Sequence, residues 1–233
     1  MWWFAALHAN LLLLCRRFAP GIAAKPLLDA GCGTGGLLAR CSAALPRHAL
    51  IGLDADGFAC ARAAEKSGCL VCAGSVNALP FADGAFGAIV SADVLCHEGV
   101  DEGAALAQFR RVLCEGGVLI LNLPAYDWLM SAHDRAVANV RRYDRRRLVR
   151  LLESSGFRVL LATYWNTVLF PLMVLTRKLS RSGAGATSDV RLYPPAIEAL
   201  CRAATAIERA WLRRGGRLPF GGSVLAVAVK HAG

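Results

Sequence analysis

The sequence predicts an α/β protein built on a largely parallel sheet covered on both faces, and three observations carry that prediction. Short, almost wholly apolar runs (Leu27–Leu28, Ala49–Leu53, Cys69–Ala73, Phe86–Val90, Val118–Leu123) alternate with helical patterns. Strands without a polar face belong in a sheet buried on both sides. The first run ends in Asp29 and enters a glycine-rich turn, Gly31-Cys32-Gly33-Thr34-Gly35-Gly36, which opens onto Leu37-Leu38. Finally, 233 residues at 55% apolar composition supply one large core, with no internal repeat or low-complexity stretch.

The elements follow in order. Residues 1–19 suit a helix packing Trp3, Leu7, Leu11 and Leu14 on one side, with the aromatic opening able to cover a cleft. Arg16-Arg17 follow the apolar run, the reverse of a signal peptide. Strand one covers Leu27–Asp29, and the helix after Gly35 runs to about Ser42. Strand two, Ala49–Leu53, ends at Asp54; a helix over Gly57–Lys66 leads to strand three, Cys69–Ala73. A turn-rich crossing, Gly74–Gly84, precedes strand four at Phe86–Ser91. Asp101–Leu113 reads as an amphipathic helix capped by Glu115-Gly116-Gly117, before strand five at Val118–Leu123.

Asp144 is an N-cap for a helix with the stripe Leu148, Leu151, Leu152, ending near Gly156. Phe157–Ala162 is strand six. Trp165–Leu175 is apolar on every side and is expected beneath a substrate lid, with docking into a bilayer surface as the alternative. The 18 uncharged residues Val159–Thr176 just reach a membrane span, but a strand claims the first of them and Asn166 and Pro171 interrupt the rest. Ser182–Ser188 reads as a flexible linker. Pro195 starts a helix with Ile197, Leu200, Ala204, Ile207 and Trp211 on one face, and Leu218–Gly222 turns into a last strand, Ser223–Lys230.

Nine cysteines, odd in number and mostly inside apolar runs, point to reduced, buried thiols in a cytoplasmic protein. Cys69 and Cys72 have C-x-x-C spacing, but a lone pair does not supply four zinc ligands, and no metal is expected. The formal net charge of +10 suits nucleic acid, anionic lipid or phosphorylated partners, yet arginine-rich, alanine-rich composition has an equally good explanation in coding bias.

Gly31, Gly33 and Gly36 satisfy G-x-G-x-x-G, which by itself suggests a dinucleotide site. Asp29 alters that reading. A carboxylate there repels a pyrophosphate but suits a cofactor with an amino group and a sulfonium, which is S-adenosylmethionine (SAM). Asp54, roughly 20 residues beyond the turn at a strand end, can accept hydrogen bonds from ribose hydroxyls.

Asp29–Gly35, Asp54, Leu79-Pro80-Phe81 with Phe86, and Arg111-Val112-Leu113 followed by Gly116-Gly117 resemble class I SAM-dependent methyltransferases of the type 11 group, over roughly residues 26–123. The resemblance implies a Rossmann-like, seven-stranded, mostly parallel sheet whose antiparallel last strand inserts between strands five and six. It implies a core of residues 1–163, an inserted helical cap at 164–219 and a final core strand in 220–233. Gly31, Cys32 and Gly33 would follow the methionine part of SAM, Asp54 the ribose, Ala55 the adenine face, and Ser75 and Val76 the adenine edge. Asp29, Gly35 and Ser91 complete the expected cofactor set, and S-adenosylhomocysteine is the implied product. Ser75 stands where the family commonly has Asp. Pro124–Asp134 and Asn139-Val140-Arg141-Arg142-Tyr143 resemble a bacterial subgroup that commonly has histidine at the position of Asn139.

Methyl transfer is an in-line displacement that needs a desolvated nucleophile. For a hydroxyl acceptor a base must take the proton, and His133 on the loop after strand five is the first candidate, His97 after strand four the second. Trp128, Arg142 and Tyr143 are candidates to line the acceptor pocket. Arg141, Arg142, Arg145–Arg147 and Arg150 form a basic patch, either a solvated face or a site for a substrate anion or an anionic membrane at the inner face. The expectation is O-methylation of a small or lipid-linked acceptor. DNA is not expected as a partner. An RNA-binding methyltransferase, a non-catalytic SAM-binding regulator and, less favoured, an NAD-dependent oxidoreductase are the alternatives.

Overall fold

The computed structural model describes residues 1–19, 25–46, 48–180 and 193–231, with side chains omitted for 176–180. Seven strands form one sheet in the order β3-β2-β1-β4-β5-β7-β6. β1 (Leu27–Ala30), β2 (Leu50–Asp54), β3 (Leu70–Ala73), β4 (Phe86–Ala92) and β5 (Leu113–Pro124) are mutually parallel. β7 (Ser223–Lys230) runs antiparallel between β5 and β6 (Phe157–Trp165). This is the Rossmann-like sheet that the resemblance implied.

Neighbouring residues of each strand feed opposite cores. Leu28, Ile89, Leu119 and Leu121 join Leu106 and Phe109 of α4 (Glu102–Val112) and Leu148 and Leu152 of α6 (Arg145–Ser154). Leu27, Val90, Val118 and Ile120 instead meet Leu7, Leu11 and Leu14 of α1 (Trp2–Phe18) and Leu37, Leu38 and Cys41 of α2 (Gly36–Ala44). α3 (Gly57–Ser67) starts at Asp56, whose carboxylate caps Phe58 N–H. Asp101 and Asp144 cap α4 and α6 in the same way.

Several sequence expectations change. Glu115-Gly116-Gly117 is not a helix cap: β5 already begins at Leu113, paired with Phe86, and the register shifts where Gly116 takes φ +73°. β6 runs on to Trp165, so Trp165 is a buried strand residue and not the start of a helix. The helical part is α7 (Phe170–Ser180), and its neighbourhood is not buried beneath a lid: Val168, Leu172 and Leu175 are all more than half exposed. Cys69 packs with one core cluster and Cys72 with the other, so the two thiols face opposite sides of the sheet. The Ser182–Ser188 stretch lies outside the described residues.

The largest departure is α8 (Pro195–Arg213). Its apolar stripe does not face the body; Ile197, Leu200, Ile207 and Trp211 are exposed. Its buried side carries Glu198, Cys201, Ala204, Thr205, Glu208 and Leu212. The carboxylates account for the inversion. Glu208 accepts the backbone N–H groups of Asn166 and Val168, each at 2.7 Å, and Glu198 lies 3.9 Å from the N-terminal ammonium.

Candidate active site

The carboxyl ends of β1, β2, β4, β5 and β6 meet along one edge of the sheet, the edge where ligands bind in such folds. The glycine turn after β1 has three left-handed residues with different duties. Gly31 (φ +84°) backs onto Val94, and a Cβ on Gly35 (φ +75°) would come within 2.7 Å of the Ala63 backbone, so neither tolerates a side chain. Gly33 (φ +51°) faces open space. Its bareness leaves room for a ligand to approach the backbone.

Two carboxylates hold the turn from below. Asp54 accepts Gly33 N–H on one oxygen at 2.8 Å and Asp56 N–H on the other at 3.0 Å. Asp29 is buried, and its Oδ2 has no partner among the described residues. Burial first, and then the negative charge of Asp54, push the Asp29 carboxyl up to about 7. A buried carboxylate oxygen without a partner among the described residues, close to the glycine turn, fits the sulfonium and amino groups of SAM and not a pyrophosphate.

Val76 is buried, while Ala55 and Ser75 are exposed on the turns beyond β2 and β3. Asn77 ties the Ser75 turn to the next loop, donating to Gly99 C=O and accepting Asp101 N–H, both at 3.0 Å. Ser91 is buried within β4 with an unpartnered hydroxyl among the described residues. On the other side of the turn, α1 brings the His8 ring against Gly36. Burial, followed by Arg40 and Lys66, lowers His8 to about 4, so it is neutral there.

Three non-glycine residues adopt left-handed φ directly beyond the strand ends: Asp93 after β4 (+56°), Tyr126 after β5 (+60°) and Asn166 after β6 (+61°). Such strain gathers at functional sites. Asp93 anchors a hydrogen-bonded row. Its Oδ1 accepts Asn122 Nδ2 at 3.0 Å, and Asn122 Oδ1 accepts the Trp165 indole N–H at 2.7 Å. Asp93 is also pushed up to about 7, mainly by burial and partly offset by the Asn122 bond and Arg142. Tyr126 centres an aromatic cluster, stacked on Trp128 (5.7 Å) and Tyr164 (5.2 Å) and edge-on to Phe170 (5.8 Å), which in turn meets Phe220 (5.6 Å).

Several sequence-predicted site residues are placed differently. Arg142 is buried as a structural cation, donating to Asp134 at 2.6 and 3.1 Å and to Ala125 C=O at 2.9 Å. Tyr143 is fully buried in the core, and its hydroxyl donates to Leu95 C=O at 2.9 Å. Tyr143 thereby ties the loop after β5 to the loop after β4, and Arg142 fastens the β5 loop to itself, roles that favour buried, hydrogen-bonded groups. Trp128 is exposed at the rim of the aromatic cluster. His133 lies in α5 (Ala132–Ala136), its Nδ1 buried without a partner among the described residues. The Asp134 carboxylate beside it accepts Ser131 N–H, Ser131 Oγ and the Arg142 guanidinium. His97 forms a backbone bridge with Asn139, whose side chain accepts the Cys96 thiol. Within the basic patch Arg141 and Arg147 share Glu102 at 3.5 and 3.4 Å, and Arg142 pairs with Asp134. Sequence reasoning missed Asp93, Asn122 and Trp165 as one unit; a carboxylate one residue past a strand was the available signal.

The fold and cleft define a Rossmann-like protein built for a cationic nucleoside cofactor. Residues 28–121, the stretch from β1 to β5, match the family model for a methyltransferase domain, which supports reading that stretch as a SAM-dependent methyltransferase domain. No curated protein matches the chain in sequence. Solved structures share the fold at low identity. A protein assigned as a sarcosine dimethylglycine methyltransferase from Galdieria sulphuraria is 18% identical, with TM-score 0.64 over 97% of this chain and 86% of its own. Geranyl diphosphate C-methyltransferase from Streptomyces coelicolor, held with Mg2+, geranyl diphosphate and S-adenosylhomocysteine, is 16% identical, with TM-score 0.60 over 95% and 77%. The methyltransferase in complex with the Haloferax volcanii Trm112 activator is 15% identical, with TM-score 0.61 over 99% and 93%.

Proposed function

We propose that the protein O-methylates a small or lipid-linked acceptor whose apolar part lies against the Tyr126 aromatic cluster, with Asp93 receiving the hydroxyl proton. The observation that carries this reading is Asp93 itself: a half-buried carboxylate in strained backbone, one residue beyond β4 and next to Val94, which packs on Gly31. SAM supplies the methyl group and its sulfonium leaving group. Asp29 offsets the sulfonium charge, Asp54 holds the turn and the ribose, and the Gly33 opening admits the methionine chain. Ala55, Ser75 and Val76 lie on the turns expected to receive adenine. Asn122, fixed by Trp165, holds Asp93 through one oxygen and leaves the other for the acceptor. A base near neutrality suits such a transfer. His133 and His97 are the other bases proposed from sequence, and the position of Asp93 directly beyond β4, beside the glycine turn, favours Asp93.

The aromatic cluster supports an acceptor with an apolar or unsaturated part. Geranyl diphosphate, the ligand of one structural neighbour, is a molecule of that type. Among the described residues no helix is long and apolar enough to cross a membrane. A lipid-linked acceptor would be met by peripheral contact with a membrane surface. The test is transfer of label from SAM to fractionated bacterial extracts. Label should enter the lipid or small-molecule fraction, whereas labelled RNA would favour the RNA-methyltransferase alternative. Asp93→Asn should lower kcat by about 100-fold or more while SAM binding persists. Full activity in that variant would remove Asp93 from the mechanism.

A further inference from the structure

We propose that α8 docks the protein onto an anionic lipid surface, lying in the plane of the interface. This goes beyond the methyl-transfer reading and rests on it only for the sense of reaching a lipid-linked acceptor.

The helix spans 19 residues, and its exposed surface is sorted by chemistry. Ile197, Leu200, Ile207 and Trp211 lie at spacings of three, seven and four, so they share one side, and they are 44, 66, 69 and 54% exposed, with Ala204 at the buried edge of that side. At 100° per residue, Ala196, Ala199, Ala203 and Ala210 fill the outer arc next to that stripe. Arg209 and Arg213 line the far border with Arg202, which pairs with Glu198 at 3.4 Å, and Arg214 and Arg217 follow just beyond the helix end. The two acids of α8, Glu198 and Glu208, are both turned inward and buried. What α8 offers to its surroundings is therefore an apolar arc with a cationic border and no exposed carboxylate. The same insertion exposes Val168, Leu172 and Leu175, and Glu208 ties its start to α8.

An apolar face with arginines alongside and a tryptophan near its end is the composition of an interfacial helix on anionic lipid. A second copy of the chain fits less well. Pairing through this face buries the apolar arc but offers no exposed acid of α8 to the arginines, whereas acidic headgroups answer both features. A helix that lies on the surface also needs no membrane-crossing length.

The experiment is co-sedimentation with vesicles of phosphatidylcholine alone or with phosphatidylglycerol added, alongside SAM calorimetry and circular dichroism on the same samples. The protein should pellet with anionic vesicles at least tenfold more strongly than with neutral ones, and raised salt should weaken the association. Leu200→Glu with Ile207→Glu should lose at least tenfold, and Arg213→Glu with Arg214→Glu should lose the preference for anionic lipid. Because these side chains are exposed, the helical spectrum and SAM affinity should persist in both double variants. Indifference to both vesicle types would overturn the proposal, as would undiminished binding by the Leu200/Ile207 variant. A concentration-dependent dimer abolished by Leu200→Glu would overturn it too, assigning the face to a second copy. Vesicle binding without SAM binding would sink the methyltransferase reading and leave the docking surface standing.

Discussion

Asp29 shows how a single residue trades stability for binding. Folded, its carboxyl titrates near 7 and not near 3.8, because burial and Asp54 oppose its ionisation. Between those two pH values the folded chain holds a proton that the unfolded chain has released. The destabilisation by this group therefore grows as pH rises from about 4 to about 7, is full above 7, and is lost again as pH falls through that window. Asp29→Asn should stabilise the SAM-free protein at pH 8, which a thermal melt would read as a higher melting temperature. The same variant should bind SAM roughly tenfold more weakly, since the loss of about 1.4 kcal/mol of charge interaction is a factor of ten in Kd. Calorimetry at pH 6 and 8 checks the mechanism: wild-type affinity falls at the lower pH, and the variant shows no such dependence. Gly33 gives a second contrast at this scale. Gly33→Trp fills the open space and should abolish SAM binding with a fold that survives, whereas Gly31→Ala collides with Val94 and should lower the melting temperature. Asn10 is a third case: it is buried in α1 with neither amide atom bonded among the described residues. Asn10→Leu should stabilise the protein by about 1–3 kcal/mol in a denaturant titration.

Between elements, the decisive contact is the buried pair of Arg142 and Asp134. It joins the α5 turn to the strand end at Ala125, and Tyr143 beside it reaches across to Leu95 in the loop after β4. Removing one member leaves an uncompensated buried charge. Arg142→Ala should therefore cost about 3–5 kcal/mol in stability. If Arg142 instead bound an acceptor, the variant would keep its melting temperature and lose activity through KM alone. The sequence placed these arginines correctly on the loop and at the start of α6. It did not show that Glu102 and Asp134, remote in sequence or hidden in a capping box, would take up their charge.

For the molecule as a whole, β7 is the closing element. It pairs along its full length with β5 on one side and with β6 on the other, so β6 has no place in the sheet without it. A chain ending at Gly216 should lose near-ultraviolet circular dichroism and SAM binding together, since both faces of the core lose Val224–Val229. Retained SAM binding in that truncation would show that β1 to β5 fold as an autonomous unit.

The parallel core was legible because local chemistry fixes it. Apolar runs with no polar face specify buried strands, a glycine turn after Asp29 specifies a ligand-facing loop, and Asp56, Asp101 and Asp144 specify helix starts. Those signals are contained in a few consecutive residues. The orientation of α8, the burial of Arg142 and Tyr143, and the joining of Asp93, Asn122 and Trp165 were decided only in three dimensions. In each case a polar group selected a partner tens of residues away: Glu208 the amides before α7, Asp134 the Arg142 guanidinium, Asn122 both the carboxylate and the indole. A hydrophobic pattern records which side of a helix is apolar. It does not record that two carboxylates on the other side have buried partners waiting, and at α8 those partners determined which side faces the protein.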